Sequence, residues 1–399
     1  MNTAAAALPP SYDYLIVGGG AGGLSLAYHL AQEPRLATKR ILLIEPEAKN
    51  QNDRTWSFWS DEPGLFDEIA AHKWHQLAFR SPSFERVFSP KKYTYLTIRG
   101  LDFYQFVHQA LADRPAQFRV VRAEVATLEN TAAGARARTT NGQEFAAHYA
   151  FDSRPPHLAQ QPAKHRYLLQ HFVGWEVETD HDVFNPEVVE FMDFRGAQQQ
   201  EARFMYVLPF GPRRALVEYT LFSPQPLLKA EYEAHITDYL HHTLGLASKQ
   251  YRVLAEEVGA IPMTDHPLPP QVGAHIINLG TRAGRAKPST GYAFQRIQRH
   301  SARLVAALAA TGRPPTPLTD DRWQFGLFDT LLLDIMQREG ETTRDIFTQL
   351  FQRNPVERIF RFLDEKTNWL DNLRIMNSVS ALPFLRSIGQ VLRGRASQR

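Results

Sequence analysis

Tyr12-Asp-Tyr-Leu-Ile-Val-Gly-Gly-Gly-Ala-Gly-Gly-Leu24 is the stretch whose reading decides the fold. Tyr14 to Val17 is a short apolar run and reads as a buried strand. Gly18, Gly20 and Gly23 then satisfy G-x-G-x-x-G, and Leu24 to Ala31 continues with a helical pattern. Each glycine has a mechanical role. One makes a tight turn, one lets the backbone approach a pyrophosphate, and one lets helix and strand pack closely. Phosphate would sit at the helix N-terminus, where free N–H groups and the dipole favour negative charge. A second apolar strand, Ile41 to Ile44, ends in Glu45, 22 residues after Gly23. An acid there can accept hydrogen bonds from an adenosine ribose. Residues 11–50 therefore read as a nucleotide-binding βαβ unit.

Working outward, 399 residues are enough to bury two cores. A hydrophobic content of 43% is that of a globular chain. The net charge of +3 gives no strong field for nucleic acid. The chain has no cysteine, which excludes disulfides, thiolate catalysis and Cys-ligated metals, and no metal is expected. No apolar run is long enough to span a membrane. Met1 to Pro10 reads as a frayed start without signal-peptide features, so an intracellular protein is expected.

The segment Asp53-Arg-Thr-Trp-Ser-Phe-Trp59 follows the nucleotide unit and reads as an aromatic loop. Trp56, Phe58 and Trp59 form either a hydrophobic plug or a wall beside a cofactor or substrate, with Arg54 reaching a phosphate. Strand-like alternation over 73–99, a helix over Leu101 to Asp113, and a hairpin turning at Asn141-Gly142 come next. Val125 is placed to touch an adenine ring or to be plain core. Residues 164–260 read as an antiparallel sheet with a helix from Leu228 to Leu246. Then His275-Ile-Ile-Asn-Leu-Gly280 forms a late strand, followed by Gly284, by Pro288-Ser-Thr-Gly291-Tyr292, and by a helix from Ala293 to Thr311. A second glycine loop before a helix suggests a second contact to one long cofactor, which fits FAD better than NAD alone; the alternative is an ordinary strand–turn–helix corner. The fold expected is α/β: a Rossmann-like FAD-binding domain (11–60, 99–160, 270–315), an interleaved antiparallel-sheet substrate domain (61–98, 161–269) and a helical C-terminal region (316–399).

Two carboxylates stand in apolar runs. Glu218 lies in Ala215-Leu-Val-Glu-Tyr-Thr-Leu-Phe222, and Asp193 in Phe191-Met-Asp-Phe194. A buried carboxyl keeps its proton near neutrality, as a general acid requires. Each alternatively serves structure or faces water. From Asn372 to Arg395 an apolar stretch carries Arg374, Arg386, Arg393 and Arg395, the pattern either of a membrane-surface helix or of one packed on the protein.

From about residue 12 to about 390 the sequence resembles the bacterial, β-ring-forming members of the flavin-dependent lycopene cyclase family. The opening glycine loop, Asp53-Arg-Thr-Trp-Ser-Phe-Trp59, Phe191-Met-Asp-Phe194, Val217-Glu-Tyr-Thr220, Pro288-Ser-Thr-Gly-Tyr292 and, in the tail, Val356-Glu-Arg-Ile-Phe-Arg-Phe-Leu363 and Pro383-Phe-Leu385 carry the resemblance. It implies an isomerase that closes the ψ-ends of lycopene into β-ionone rings, giving γ-carotene and then β-carotene, without net redox. It implies reduced FAD, with NAD(P)H as reductant, and Glu218 as the acid. Tyr219 stands where the family usually has a second acid. Trp56, Phe58, Trp59 and Tyr292 would offer aromatic faces to a cation. A bilayer-resident carotenoid implies a cytoplasmic protein, peripheral on the inner membrane face. The competing readings are a flavin-dependent monooxygenase, halogenase or prenyl reductase, which would consume reductant, and a carotenoid-binding flavoprotein without catalysis.

Overall fold

The computed structural model describes residues 11–156, 165–318 and 321–396, so Met1–Pro10 lies outside the described residues, as do the side chains of Arg393 and Arg395. Among the described residues the strands form three sheets. The first is built on five parallel strands in the order Phe118–Val121, Ile41–Ile44, Tyr12–Val17, Glu144–Asp152 and Ile276–Asn278. The inner strands are apolar on both faces because both are covered, Tyr14, Ile16, Ile41 and Leu43 by helices and Leu15, Val17, Leu42 and Ile44 by the strand residues Val125, Ala135 and Ala137. Ala21–Ala31 lies against Phe294–Thr311 and Gly100–Ala112, so the first glycine helix and the last one pack together. The Val125–Thr131 and Gly134–Thr139 strands extend this sheet antiparallel from Glu144–Asp152.

The second sheet has seven strands, in the order Tyr251–Thr264, Tyr167–Thr179, Arg214–Ser223, Ala202–Gly211, Val188–Asp193, Gln76–Ser81 and Phe84–Phe88. It is antiparallel except where Val188–Asp193 runs parallel to Gln76–Ser81. Its two faces have different fates. Val173, Met205, Val217 and Leu221 pack against the Lys229–Asp238 helix. On the opposite face Phe191 and Phe204 join a core closed by Phe347, Phe351 and Phe360 of the C-terminal helices. The rest of that face is left open as the wall of a cavity.

Asp53–Trp59 departs from its reading as a loop. Thr55–Ser60 is a strand, paired antiparallel with Thr94–Arg99, which also takes His72–Trp74. Aromatic residues suit a pleated, half-buried surface. A boundary at 60/61 and 98/99 therefore runs between two partners of one small sheet. The stretch over Leu228 to Leu246 also changes geometry, from α-helix to a π turn at Tyr239–Thr243.

Candidate functional site

The site is a cavity of about 1460 Å³ between the carboxyl ends of the parallel strands and the open face of the seven-stranded sheet. That exceeds the usual range for one small ligand and leaves room for a cofactor and a substrate. It also lies where open α/β sheets bind ligands, just beyond the strand ends.

Gly18 and Gly20 line one end. Gly18 takes a left-handed φ of 96°, and a Cβ on Gly23 would lie 1.9 Å from the Gly18 carbonyl oxygen. Glycine is required at both, for the turn and for the close packing of helix on strand. No side chain caps the Ala21–Ala31 helix, so its first N–H groups are left for a ligand. Gly22 packs against Gly280: a Cβ on Gly22 would come within 3.1 Å of the Gly280 nitrogen. The early and late glycine segments thus share one end of one cavity. Glu45 lies beside them, its carboxylate accepting the Gly19 N–H and, at 2.9 Å, that of Glu47. Val125 lines the cavity next to it, and Arg54, paired with Asp53 at 2.9 Å, lines it further along.

At the other end the turn Lys287–Tyr292 closes on itself, with the Gly291 N–H donating to the Lys287 carbonyl at 2.8 Å. Gly291 has φ 73°, and the Gln170 Oε1 fills the place of its missing Cβ. Gln170 Oε1 and Thr290 Oγ1 are buried at this end without a hydrogen-bond partner. Unsatisfied polar atoms against a cradle of glycine backbone fit a polar ring system laid along it, as a flavin would be.

Not every residue expected at the site reaches it. Gly284 ends the short 3-10 turn Gly280–Ala283 in a left-handed conformation and lies outside the cavity lining. Pro288 is turned away as well, because its neighbours are anchored elsewhere. Lys287 Nζ is paired with Asp329 at 2.9 Å and Glu365 at 3.0 Å, and the Ser289 hydroxyl donates to Asp329 at 2.5 Å. Strand geometry separates the aromatic residues. Trp56 lines the cavity, while Phe58 stacks on Phe294 at 4.7 Å in the nucleotide-domain core. Trp59 points to the other face and stacks on Phe360 at 4.7 Å. Neither Phe58 nor Trp59 lines the cavity. Asp193 is tied into the fold instead: 2% exposed, it accepts from the Arg195 guanidinium at 2.9 Å and from the Tyr239 hydroxyl at 3.0 Å, on the helix-covered side of the sheet.

Glu218 does face the cavity. Its strand neighbours Val217 and Tyr219 pack toward the helix, so alternation turns Glu218 the other way. Burial first, and the nearby charge of Glu257 second, push its carboxyl up to about 8, against the opposing effect of the Thr220 hydroxyl, which donates at 2.6 Å. Above it, the hydroxyls of Tyr206 and Tyr292 lie 3.1 Å apart, and burial raises the acid equilibria of both phenols and of Tyr95, so they stay neutral. Trp56 and Phe172 complete an aromatic lining. Glu257, Tyr206, Tyr95 and Gln170 are site residues that sequence reasoning missed. Glu257 sits beside Glu256 in what reads as a polar edge; its inward turn depends on register, for which the sequence carries no local signal.

The arrangement can hold a proton on a carboxyl in an apolar, aromatic pocket, opposite a glycine cradle. Comparison with known proteins places the fold and the family. p-Nitrophenol 4-monooxygenase from Pseudomonas putida has the same fold, with a TM-score of 0.59 and 15% identity over 97% of this chain and 98% of that one. So does a geranylgeranyl bacteriochlorophyll reductase-like protein from Thermoplasma acidophilum, with a TM-score of 0.58, 15% identity, and 97% and 98% coverage. The lycopene beta-cyclase of Pantoea ananas is 27% identical, over 96% of this chain and 99% of its own length, and that of Pseudescherichia vulneris 28%, over 93% and 95%. The sequence profile of lycopene cyclase protein matches residues 13–388, nearly the whole chain, which therefore belongs to the lycopene cyclase family.

Proposed function

We propose that the protein converts the ψ-ends of lycopene to β-ionone rings, giving γ-carotene and then β-carotene, by proton-initiated cyclisation. The observation that carries this reading is the Glu218 carboxyl, which keeps its proton near neutral pH on an aromatic cavity wall. Glu218 gives its proton to the terminal double bond, leaving a tertiary cation. The next double bond attacks that cation and closes the six-membered ring. A ring C–H then loses its proton, so one proton enters and one leaves and no electrons are transferred overall. The neutral rings of Tyr206, Tyr292, Trp56 and Phe172 face this cation without quenching it, and ring faces attract positive charge.

Gly18, Gly20, Glu45, Arg54, Val125, Gly280 and Gly291 would hold FAD. Bound in its reduced state, with NAD(P)H as the source of electrons, FAD would supply a negative charge to the cavity that favours a developing cation. Among the described residues no helix is long and apolar enough to cross a membrane. Access to a bilayer substrate falls to the C-terminal region, where Trp369, Leu382, Leu385 and Leu392 are exposed large apolar side chains. We place this face on the inner surface of the cytoplasmic membrane. Expression in lycopene-accumulating cells, with pigment chromatography, tests the reading: γ- and β-carotene should replace lycopene. With purified protein, consumption of one NAD(P)H per ring would instead mark the redox chemistry known on this fold.

A further inference from the structure

Tyr219, which follows Glu218, cannot share its surroundings. Its ring packs on His235, and its hydroxyl accepts from Arg203 at 3.3 Å, on the helix-covered face. A carboxyl partner for Glu218 has to come from another strand at the same level of the sheet. Gly174 lies at that level, paired with Glu218 on one side and with Glu257 on the other. Residues paired across strands point to the same face. With strands ~4.8 Å apart, the two glutamate Cα atoms are about 10 Å apart. Gly174 places no side chain between them. A Cβ there would come within 3.0 Å of the Leu216 Cδ1 and within 3.3 and 3.4 Å of the Glu218 Cβ and Cγ, so Glu218 and Leu216 share the space that the glycine leaves.

The two acids are held differently. Burial raises the Glu257 carboxyl, but it accepts the Thr55 N–H at 2.6 Å and lies in the field of Arg54, two contacts that work the other way and favour its ionised form. Glu218 accepts the Thr220 hydroxyl. The remaining groups facing them are the phenols of Tyr206, Tyr292 and Tyr95, Asp53 beside Arg54, and, one step along the sheet, Arg99 and Arg214, both paired with Glu176. We propose that Glu257 is a positioning residue for Glu218: the two carboxyls, on either side of Gly174, carry one charge between them, with the charge on Glu257 and the proton on Glu218.

The proposal rests on Glu218 as the proton donor in cyclisation, and its test is chosen to separate the two. In the full chain with FAD bound, the infrared band of the protonated Glu218 carboxyl is identified by its loss in Glu218→Gln and titrated. Glu257→Gln keeps an acceptor for Thr55 but removes the charge. It should lower the Glu218 midpoint by about one pH unit or more. Cyclisation should then fall roughly fivefold at pH 8 while the wild-type rate is recovered in acid. Glu257→Asp keeps the charge and should hold the midpoint near that of the wild type. An unchanged midpoint in Glu257→Gln overturns the pair. A shifted midpoint in a protein that does not cyclise supports the pair and overturns the assigned reaction.

Discussion

Replacing Glu218 with Gln removes a proton site whose affinity differs between the folded and the unfolded chain. Burial, then the charge of Glu257, raises the Glu218 carboxyl from its ordinary 4.5 to about 8 in the fold. Between those two values the folded chain binds more protons than the unfolded one, so this group makes stability fall as pH rises. Its penalty is absent below about pH 4.5 and complete above about pH 8. A tenfold displacement of a proton equilibrium is about 1.4 kcal/mol, which sets a ceiling on the order of 5 kcal/mol for the whole displacement. Glu218 is half-buried, with its open side on the cavity, and screening there reduces the expected value to about 2–3 kcal/mol. Gln keeps the shape and the acceptor for Thr220 but cannot ionise. Urea unfolding of both proteins from pH 5 to pH 9 is the assay. The two should be nearly equal in acid, and Glu218→Gln should be more stable by about 2–3 kcal/mol at pH 9, with the same denaturant slope. A difference that stays constant with pH, or one that favours the wild type in base, would refute the assignment of a buried, proton-holding carboxyl.

Asp193→Asn should behave in the opposite way. It leaves the Arg195 guanidinium short of its counter-charge, so unfolding should become easier by about 2–4 kcal/mol, while cyclisation per folded molecule and its pH profile stay as in the wild type, read by thermal melts and by assays well below the transition. On the Ala381–Ala396 helix, Leu385→Ser with Leu392→Ser removes two side chains that are 63% and 60% exposed. The double variant should fold normally yet partition onto anionic vesicles at least tenfold more weakly in a flotation assay; unchanged partition would exclude this face as the docking surface.

The glycine loop was legible because its role is local: Gly18 must turn and Gly23 must pack, whatever lies elsewhere. The late glycine segment was legible for the same reason, down to the left-handed Gly280 and Gly291. Glu218 and Asp193 show the limit. Both are single carboxylates in apolar runs; the family resemblance points to Glu218, but the local pattern of hydrophobicity does not tell the two apart. The register of the sheet separates them. Glu218 is paired with Tyr206 on the cavity side, whereas Asp193 is paired with Met205, beyond an irregularity after Glu190, on the helix-covered side. A slip of one residue exchanges the two faces of a strand, and such a slip is set by distant pairing. Trp59 was misplaced for the same reason. Glu257 was missed because its partner level passes through Gly174, in a strand with no local sign that a gap is needed there.

The fold shared with monooxygenases and reductases does not decide the chemistry, because cradle and wall belong to different sheets. The glycine loops that would hold FAD hang from the parallel strands, whereas Glu218, Glu257 and Tyr206 stand on the seven-stranded sheet. What joins them is the turn from Lys287 to Tyr292. One side of it is tied by Lys287 to Asp329 and Glu365, with Arg296 also paired to Glu365 at 2.6 Å. The other side presents Gly291 to the cradle and Tyr292 to Tyr206. Removing one partner from a buried ion cluster leaves an uncompensated charge and typically costs about 3–5 kcal/mol. The helix that carries Asp329 and the turn at Glu365, just after the Val356–Leu363 helix, therefore hold this turn in place from behind. The C-terminal region, which presents the exposed apolar face, is by the same contacts part of the frame that fixes the distance between cofactor cradle and acid wall.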